Sequence, residues 1–247
     1  MKELRVLLRV LKESEMAKRT ARKPHESLRD YPIYTIPEAS LYLAIPESTL
    51  RYWIIKNPVW KMSDPDRHLL SFRDIAQAYY LEMARKHFRL TLTKMRDVMI
   101  EARKDTKSEY PLIGPNVRMF LDHIFVDRPA RGRLPRRFIN WTRFGQLGIP
   151  EVVEPLSTRY RWTSNTLQLF PWRLWNGTAE DKRVPVMLDP DVMSGRLVIT
   201  GTRIPVQVIA LRKAGGESIP HLAKDYRISE AGIEYALEHL VPEKKAA

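Results

Sequence analysis

Between residues 35 and 57 the apolar positions fall into two short helical periods separated by a break. Ala39, Leu41, Tyr42 and Leu43 belong to the first period, and Leu50, Trp53 and Ile54 to the second. Thr35 stands three residues before Glu38, which is the spacing of a capping box, and Pro37 suits the first turn of a helix. Ala44-Ile45 allows a tight turn, after which Pro46 opens the second helix over residues 46–56. Opposite its apolar stripe lie Glu47, Ser48, Thr49, Arg51, Tyr52 and Lys56. Asn57-Pro58 ends it, because a residue before proline is driven out of the helical region. Residues 58–70 suit a small hairpin or wing turning at Ser63-Asp64-Pro65-Asp66. Ser71, with Asp74 at the box position, then caps a long helix through about residue 88, and a further helix follows from about Thr93 to Lys104.

From Tyr110 the period changes. Proline and glycine recur every few residues, and the apolar runs between them are short: "HIFVD", "RFINW", "EVVEPL" and "LQLF". These runs predict a small β-rich region or extended connections. Farther on, Val186–Leu188 and 197–200 predict a hairpin turned at Asp189-Pro190-Asp191 and Ser194-Gly195. Three short helices follow. The first begins at Pro205, carries Val206, Ile209 and Leu211 as its apolar positions and is stopped by a left-handed cap at Gly215-Gly216. Ser218 caps the second, with Leu222, Ala223 and Tyr226 facing inward. Ser229 caps the third, with Ile233, Ala236, Leu237 and Leu240 in the core. The predicted fold class is mainly α with a small β-rich middle, α+β. It comprises an N-terminal winged helix-turn-helix and a C-terminal β-hairpin with a homeodomain-like trihelical unit.

Charge sharpens this division. The 247 residues carry a net +13, which points to a polyanionic partner, most often nucleic acid. Residues 1–30 hold 9 basic and 5 acidic side chains, residues 31–110 hold 13 and 10, residues 111–183 hold 12 and 6, and residues 184–247 hold 8 and 8. All of the excess therefore precedes the trihelical unit. Four regions result: a basic amphipathic segment (1–30), a winged helix-turn-helix domain (31–109), a strand-rich, arginine-rich middle (110–183) and the trihelical domain (184–247). The middle contains "RPARGRLPRRFINWTR", with six arginines and no acid. It reads equally as a strip that contacts phosphates and stacks bases and as a loop whose aromatics belong to the core. Trp162, Phe170, Trp172 and Trp175 read as packing residues.

Two stretches resemble known families. "IPEASLYLAIPESTLRYW…RHLLSFRDI" resembles the DNA-binding head of the MerR family, with Thr49, Leu50, Arg51 and Tyr52 on the recognition helix and Arg67 in the wing. "LDPDVMSGRLVITGTRIPVQVIALRKAGGESIPHLAKDYRISEAGIEYAL" is similar to a bacterial antitoxin domain long catalogued as a domain of unknown function. Its marks are the run 201–205, the turn 216–218, Asp225-Tyr226 and Ala236-Leu237. In combination the chain resembles the longer VapB-type antitoxins. That resemblance implies a homodimeric repressor of its own operon that neutralises a PIN-like ribonuclease toxin. The expected contacts with double-stranded operator DNA are Ser48, Thr49, Arg51, Tyr52, Lys56 and Arg67.

Other chemistries find little support. With no cysteine, thiolate catalysis and cysteine zinc sites are excluded, and a reducing cytoplasm is suited. The six histidines form no i, i+4 metal pair around a glutamate, and no phosphate loop, nucleophile elbow or dinucleotide fingerprint occurs. The expectation is a non-enzyme with no cofactor and no metal. No apolar run approaches a membrane span, and Arg5, Arg9 and Lys12 interrupt the leucines at 4, 7, 8 and 11. The alternatives are a ligand-responsive regulator with a pocket at Trp162, Trp172 and Trp175, and an RNA-binding or nuclease enzyme that uses the arginine strip.

Overall fold

The computed structural model describes residues 28–88, 90–114, 117–120, 123–128, 137–142, 146–148, 160–162, 167–169 and 186–240. The amphipathic segment 4–11, most of the arginine strip, the run 151–156, Phe170, Trp172 and Trp175 lie outside the described residues. The fold is mainly α with small antiparallel sheets.

The head begins with a two-residue strand, β1 (Tyr34–Thr35), and helix α1 (Ile36–Leu43). The Thr35 side chain accepts a hydrogen bond from the Glu38 backbone N–H, so Thr35 is the N-cap, the first half of the expected capping box. Ala44 takes the left-handed conformation, φ 53° and ψ 38°, and its N–H returns to the last carbonyls of α1. Helix α2 (Glu47–Arg51) runs straight into a π-helical turn over Tyr52–Lys56. Leu50, Trp53 and Ile54 are buried, as the period predicts. The π turn itself is invisible in the sequence.

The wing differs from its expected form. Its strand β2 (Leu69–Leu70) pairs with β1, Tyr34 opposite Leu70. The hairpin is closed only by a bridge between Asp64 and Leu69, so the turn lies over residues 65–68, about two residues later than expected. Helix α3 (Phe72–Phe88) is buried on nearly all sides, and α4 (Leu92–Thr106) packs beside it. The Ser71–Asp74 capping box forms in both directions: Asp74 N–H donates to Ser71 Oγ at 3.2 Å and Ser71 N–H to Asp74 Oδ2 at 2.8 Å.

The middle is a four-stranded antiparallel meander: β3 (Val117–Phe120), β4 (His123–Arg128), β5 (Arg137–Asn140) and β6 (Gln146–Gly148). Trp141 is buried and donates its indole N–H to Asp105 on α4 at 3.0 Å, and Arg128 pairs with the same carboxylate. Trp141 therefore belongs to the core, and Arg128 is tied to α4.

A second sheet crosses the expected boundary at residue 184. Strands β7 (Tyr160–Trp162) and β8 (Leu167–Leu169) continue into β9 (Val186–Leu188) and β10 (Leu197–Ile199), with Leu169 opposite Leu188. The last three helices are α5 (Val206–Ala214), α6 (Ile219–Tyr226) and α7 (Glu230–Leu240). One sequence expectation fails here, and another holds at only one of its two residues. Leu211 is 40% exposed, with Ala210 buried in its place beside Val206 and Ile209. Gly215 is right-handed, and Gly216 alone takes the positive φ, at 99°.

Head and C-terminal unit share one continuous core, in which Tyr34, Ile36 and Tyr42 cluster with Val186, Leu197, Ile209 and Ile233. Across it the Tyr34 hydroxyl donates to the Gly195 carbonyl at 2.8 Å, both groups buried. Gly195 sits at φ 75°, and a Cβ there would overlap the Tyr34 hydroxyl, so only glycine fits this approach. Burial, reinforced by the Glu38 carboxylate, pushes the Tyr34 and Tyr42 phenols well above 10.0. Both remain protonated donors, Tyr42 to Glu38 Oε1 at 2.8 Å.

Candidate nucleic-acid interface

The second helix of the head presents one face to the core and the other to solvent. Trp53 and Ile54 anchor it, and neighbouring helices hold it in place. The Arg85 guanidinium on α3 lies 5.7 Å from the Trp53 ring centroid. On α4, Arg96 Nη2 donates to the Asn57 carbonyl at 2.9 Å and Arg103 Nη2 to the Val59 carbonyl at 3.3 Å. The C-terminal end of the helix thus abuts two cations, which suit its exposed carbonyls. On the solvent side, Ser48, Tyr52, Ile55 and Lys56 are exposed and Thr49 and Arg51 half-buried. Tyr52 accepts from Asn57 Nδ2 at 3.1 Å. The structure therefore brings Ser48, Thr49, Arg51, Tyr52 and Lys56 onto one helix.

Arg67 is exposed too, but on the separate wing turn. Its guanidinium pairs with Asp64 at 2.6 Å, and its backbone N–H donates to the other Asp64 oxygen at 3.1 Å. Slight burial raises the Asp64 pKa, but the hydrogen bonds and charge of Arg67 outweigh it and hold the carboxyl below its ordinary 3.8. The matching pair on the second helix of the head is Arg51 Nε to Glu47 Oε1, 2.7 Å, one helical turn apart. Glu-x-x-x-Arg and Asp-x-x-Arg spacings were the available signals for these two partnerships.

Asp74 fixes the wing to the helix that follows. Its Oδ1 accepts from Trp60 Nε1 at 2.8 Å, and its Oδ2 from Ser63 N–H at 3.1 Å and Ser63 Oγ at 2.5 Å, besides Ser71. Trp60, Ser63 and the start of α3 are thereby held around one buried carboxylate. The sequence marks Asp74 as a cap and gives no sign of its other partners. An open groove of about 500 Å³ borders this region, lined by Ile54, Val59, Trp60, Met62, Lys61 and Arg103 among others.

On the trihelical unit Arg212 ties α5 to α6 and to the turn between them. It pairs with Glu217 at 2.6 Å and with Asp225, and lies 5.0 Å over the Tyr226 ring. These bonds raise the Arg212 pKa and lower those of Glu217 and Asp225. Val208 and Leu211 stand exposed on the outer face of α5. Among the described residues no cluster of His, Asp and Glu suits a metal ion, and no helix is long and apolar enough to cross a membrane.

No curated protein matches this chain. The X-ray crystal structure of Rv2018 from Mycobacterium tuberculosis is similar over 83% of this chain and 97% of that one, with a TM-score of 0.54 and 20% identity. At that identity the likeness concerns the fold. Residues 186–239, which run from β9 into α7, match the family described as "Protein of unknown function (DUF433)".

Proposed function

We propose that the chain is a DNA-binding antitoxin that represses its own operon and neutralises a PIN-like ribonuclease. The observation that carries the DNA half is the second helix of the head. It is anchored by Leu50, Trp53 and Ile54 and offers Ser48, Thr49, Arg51, Tyr52 and Lys56 outward on a protein of net +13. Arginine and tyrosine side chains on such a helix reach base edges and phosphates in a major groove. A homodimer would place two such helices on half-sites one turn apart. Toxin neutralisation rests on the resemblance of residues 188–237 to an antitoxin domain and on their charge balance, which gives no net pull toward phosphates.

Arg51→Ala tests the DNA half. Loss of about 1–3 kcal/mol of specific binding marks a base contact. A salt slope lower by about one unit marks a phosphate contact. Unchanged affinity and unchanged salt dependence would remove the recognition helix from the interface. Co-purification with the product of a neighbouring gene tests the toxin half, and Leu211→Asp should weaken that association while leaving DNA binding intact. Truncation near residue 183 is unsuitable, because it removes β9 and β10 from a sheet and Gly195 from Tyr34. The ligand-responsive regulator is the second reading, favoured by the groove beside Trp60 and Arg103. A small anion that changed operator affinity would support it.

A further inference from the structure

The two arginines of the head are gripped in different ways. Arg67 turns its side edge onto Asp64: Nε and Nη2 each lie 2.6 Å from the same carboxylate oxygen, Oδ2. The second oxygen of Asp64 holds the backbone of the turn. Arg67 thus staples the wing. Arg51 gives only its Nε to Glu47 Oε1, at 2.7 Å. Its two terminal nitrogens, Nη1 and Nη2, have no partner among the described residues, and the side chain is 43% exposed.

A guanidinium recognises guanine by donating two parallel N–H bonds to O6 and N7. With Nε committed to Glu47, the end-on pair Nη1/Nη2 remains open for that fork. Fixing the side chain in advance removes rotamer freedom that binding would otherwise have to remove. The Glu47 carboxylate has a second effect: beside Arg51 it opposes an approaching phosphate, so charge alone attracts DNA less strongly to this helix. Lys56 on the same helix has no such restraint: it is exposed and carries no carboxylate partner among the described residues.

We propose that Glu47 is a positioning residue that presets Arg51 to read one guanine in the major groove and lowers binding to DNA of arbitrary sequence. This inference rests on the DNA-binding reading above. It assigns sequence selection to the Glu47–Arg51 pair and places Arg67 outside it.

The test uses the full chain and a pool of random-sequence duplexes, followed by affinity measurements on the selected site and its single-base variants. Wild type should select a site with one guanine whose preference disappears in Arg51→Ala. Glu47→Ala should lower the preference at that base by about twofold to fivefold and raise affinity for unselected duplex by a similar factor. Glu47→Gln keeps an oxygen for Nε, so it should retain the base preference while still gaining unselected affinity. Thermal melting of each variant checks the fold, and the near-isosteric Glu47→Gln keeps the test decisive if Glu47→Ala is unstable. An Arg51-dependent guanine whose preference persists in Glu47→Ala would overturn this inference and leave the DNA-binding reading standing. Glu47→Gln behaving as wild type toward unselected duplex would overturn it equally. A wild-type chain that selects no sequence would overturn both.

Discussion

Asp74→Asn probes the polar centre of the head. The carboxylate is buried and takes hydrogen bonds from Trp60 on one oxygen and from Ser63 and Ser71 on the other. An asparagine must turn its NH₂ toward one of these groups. Facing Ser63 and Ser71, it would orphan two backbone N–H groups. Facing Trp60, it would orphan one indole N–H, at about 1–3 kcal/mol, so this second orientation is preferred. The remaining bonds then lose their charge assistance, at a few tenths of a kcal/mol each. The total is about 2–4 kcal/mol, a large part of the 5–15 kcal/mol by which domains are usually stable. Urea denaturation followed by tryptophan fluorescence measures it. Because Trp60→Phe removes the donor that the new amide would oppose, the double variant should be little less stable than Asp74→Asn alone. Asp74→Asn within about 0.5 kcal/mol of wild type, or strict additivity with Trp60→Phe, would refute the reasoning.

Further outcomes follow from other contacts. Tyr34→Phe strands the buried Gly195 carbonyl and should cost about 1–3 kcal/mol in urea denaturation. Ala44 holds φ 53° at the helix-turn-helix corner, so Ala44→Gly should raise the denaturation midpoint, by about 0.5–1 kcal/mol in stability. Arg212 holds Glu217 and Asp225 below their ordinary values of 4.5 and 3.8. A depressed folded-state pKa gives stabilisation that is present above the ordinary value and lost as pH falls through the folded one. Amide protection factors at the α5–α6 corner, which divide out the intrinsic pH dependence of exchange, should therefore be flat above about pH 5 and fall on acidification below it, and Arg212→Ala should remove that dependence.

What the sequence disclosed was local. Thr35 with Glu38, Ser71 with Asp74, and Ser218 and Ser229 announce helix starts because a cap and its backbone donor lie within three residues. The buried stripe of the head's second helix was legible for the same reason. In α5, by contrast, Val206, Val208, Ile209, Ala210 and Leu211 are all apolar, so periodicity does not choose a face, and Leu211 turns to solvent where the core was expected. The partner of Leu69–Leu70 lay 35 residues upstream in β1, beyond any short-range signal. Of the candidate site, the exposed side chains were readable from the period. The Glu-x-x-x-Arg and Asp-x-x-Arg spacings allow the pairs at Arg51 and Arg67, but which guanidinium nitrogens each carboxylate takes emerges only once rotamers are fixed.

The bond between Tyr34 and Gly195 spans 161 positions of chain, and this separation governs the order of events during synthesis. A ribosome adds about 5–20 residues per second, so roughly 10–30 s pass between the emergence of β1 and that of the hairpin that covers it. Through that interval the nascent head carries an apolar face without its lid, open to chaperones and proteases. Closing so long a loop also delays the last folding step, because the entropy of bringing its ends together is lost before any contact is gained. A prematurely released chain keeps the head's second helix on an unfinished core, which makes the fold a check that translation has reached the C-terminal hairpin.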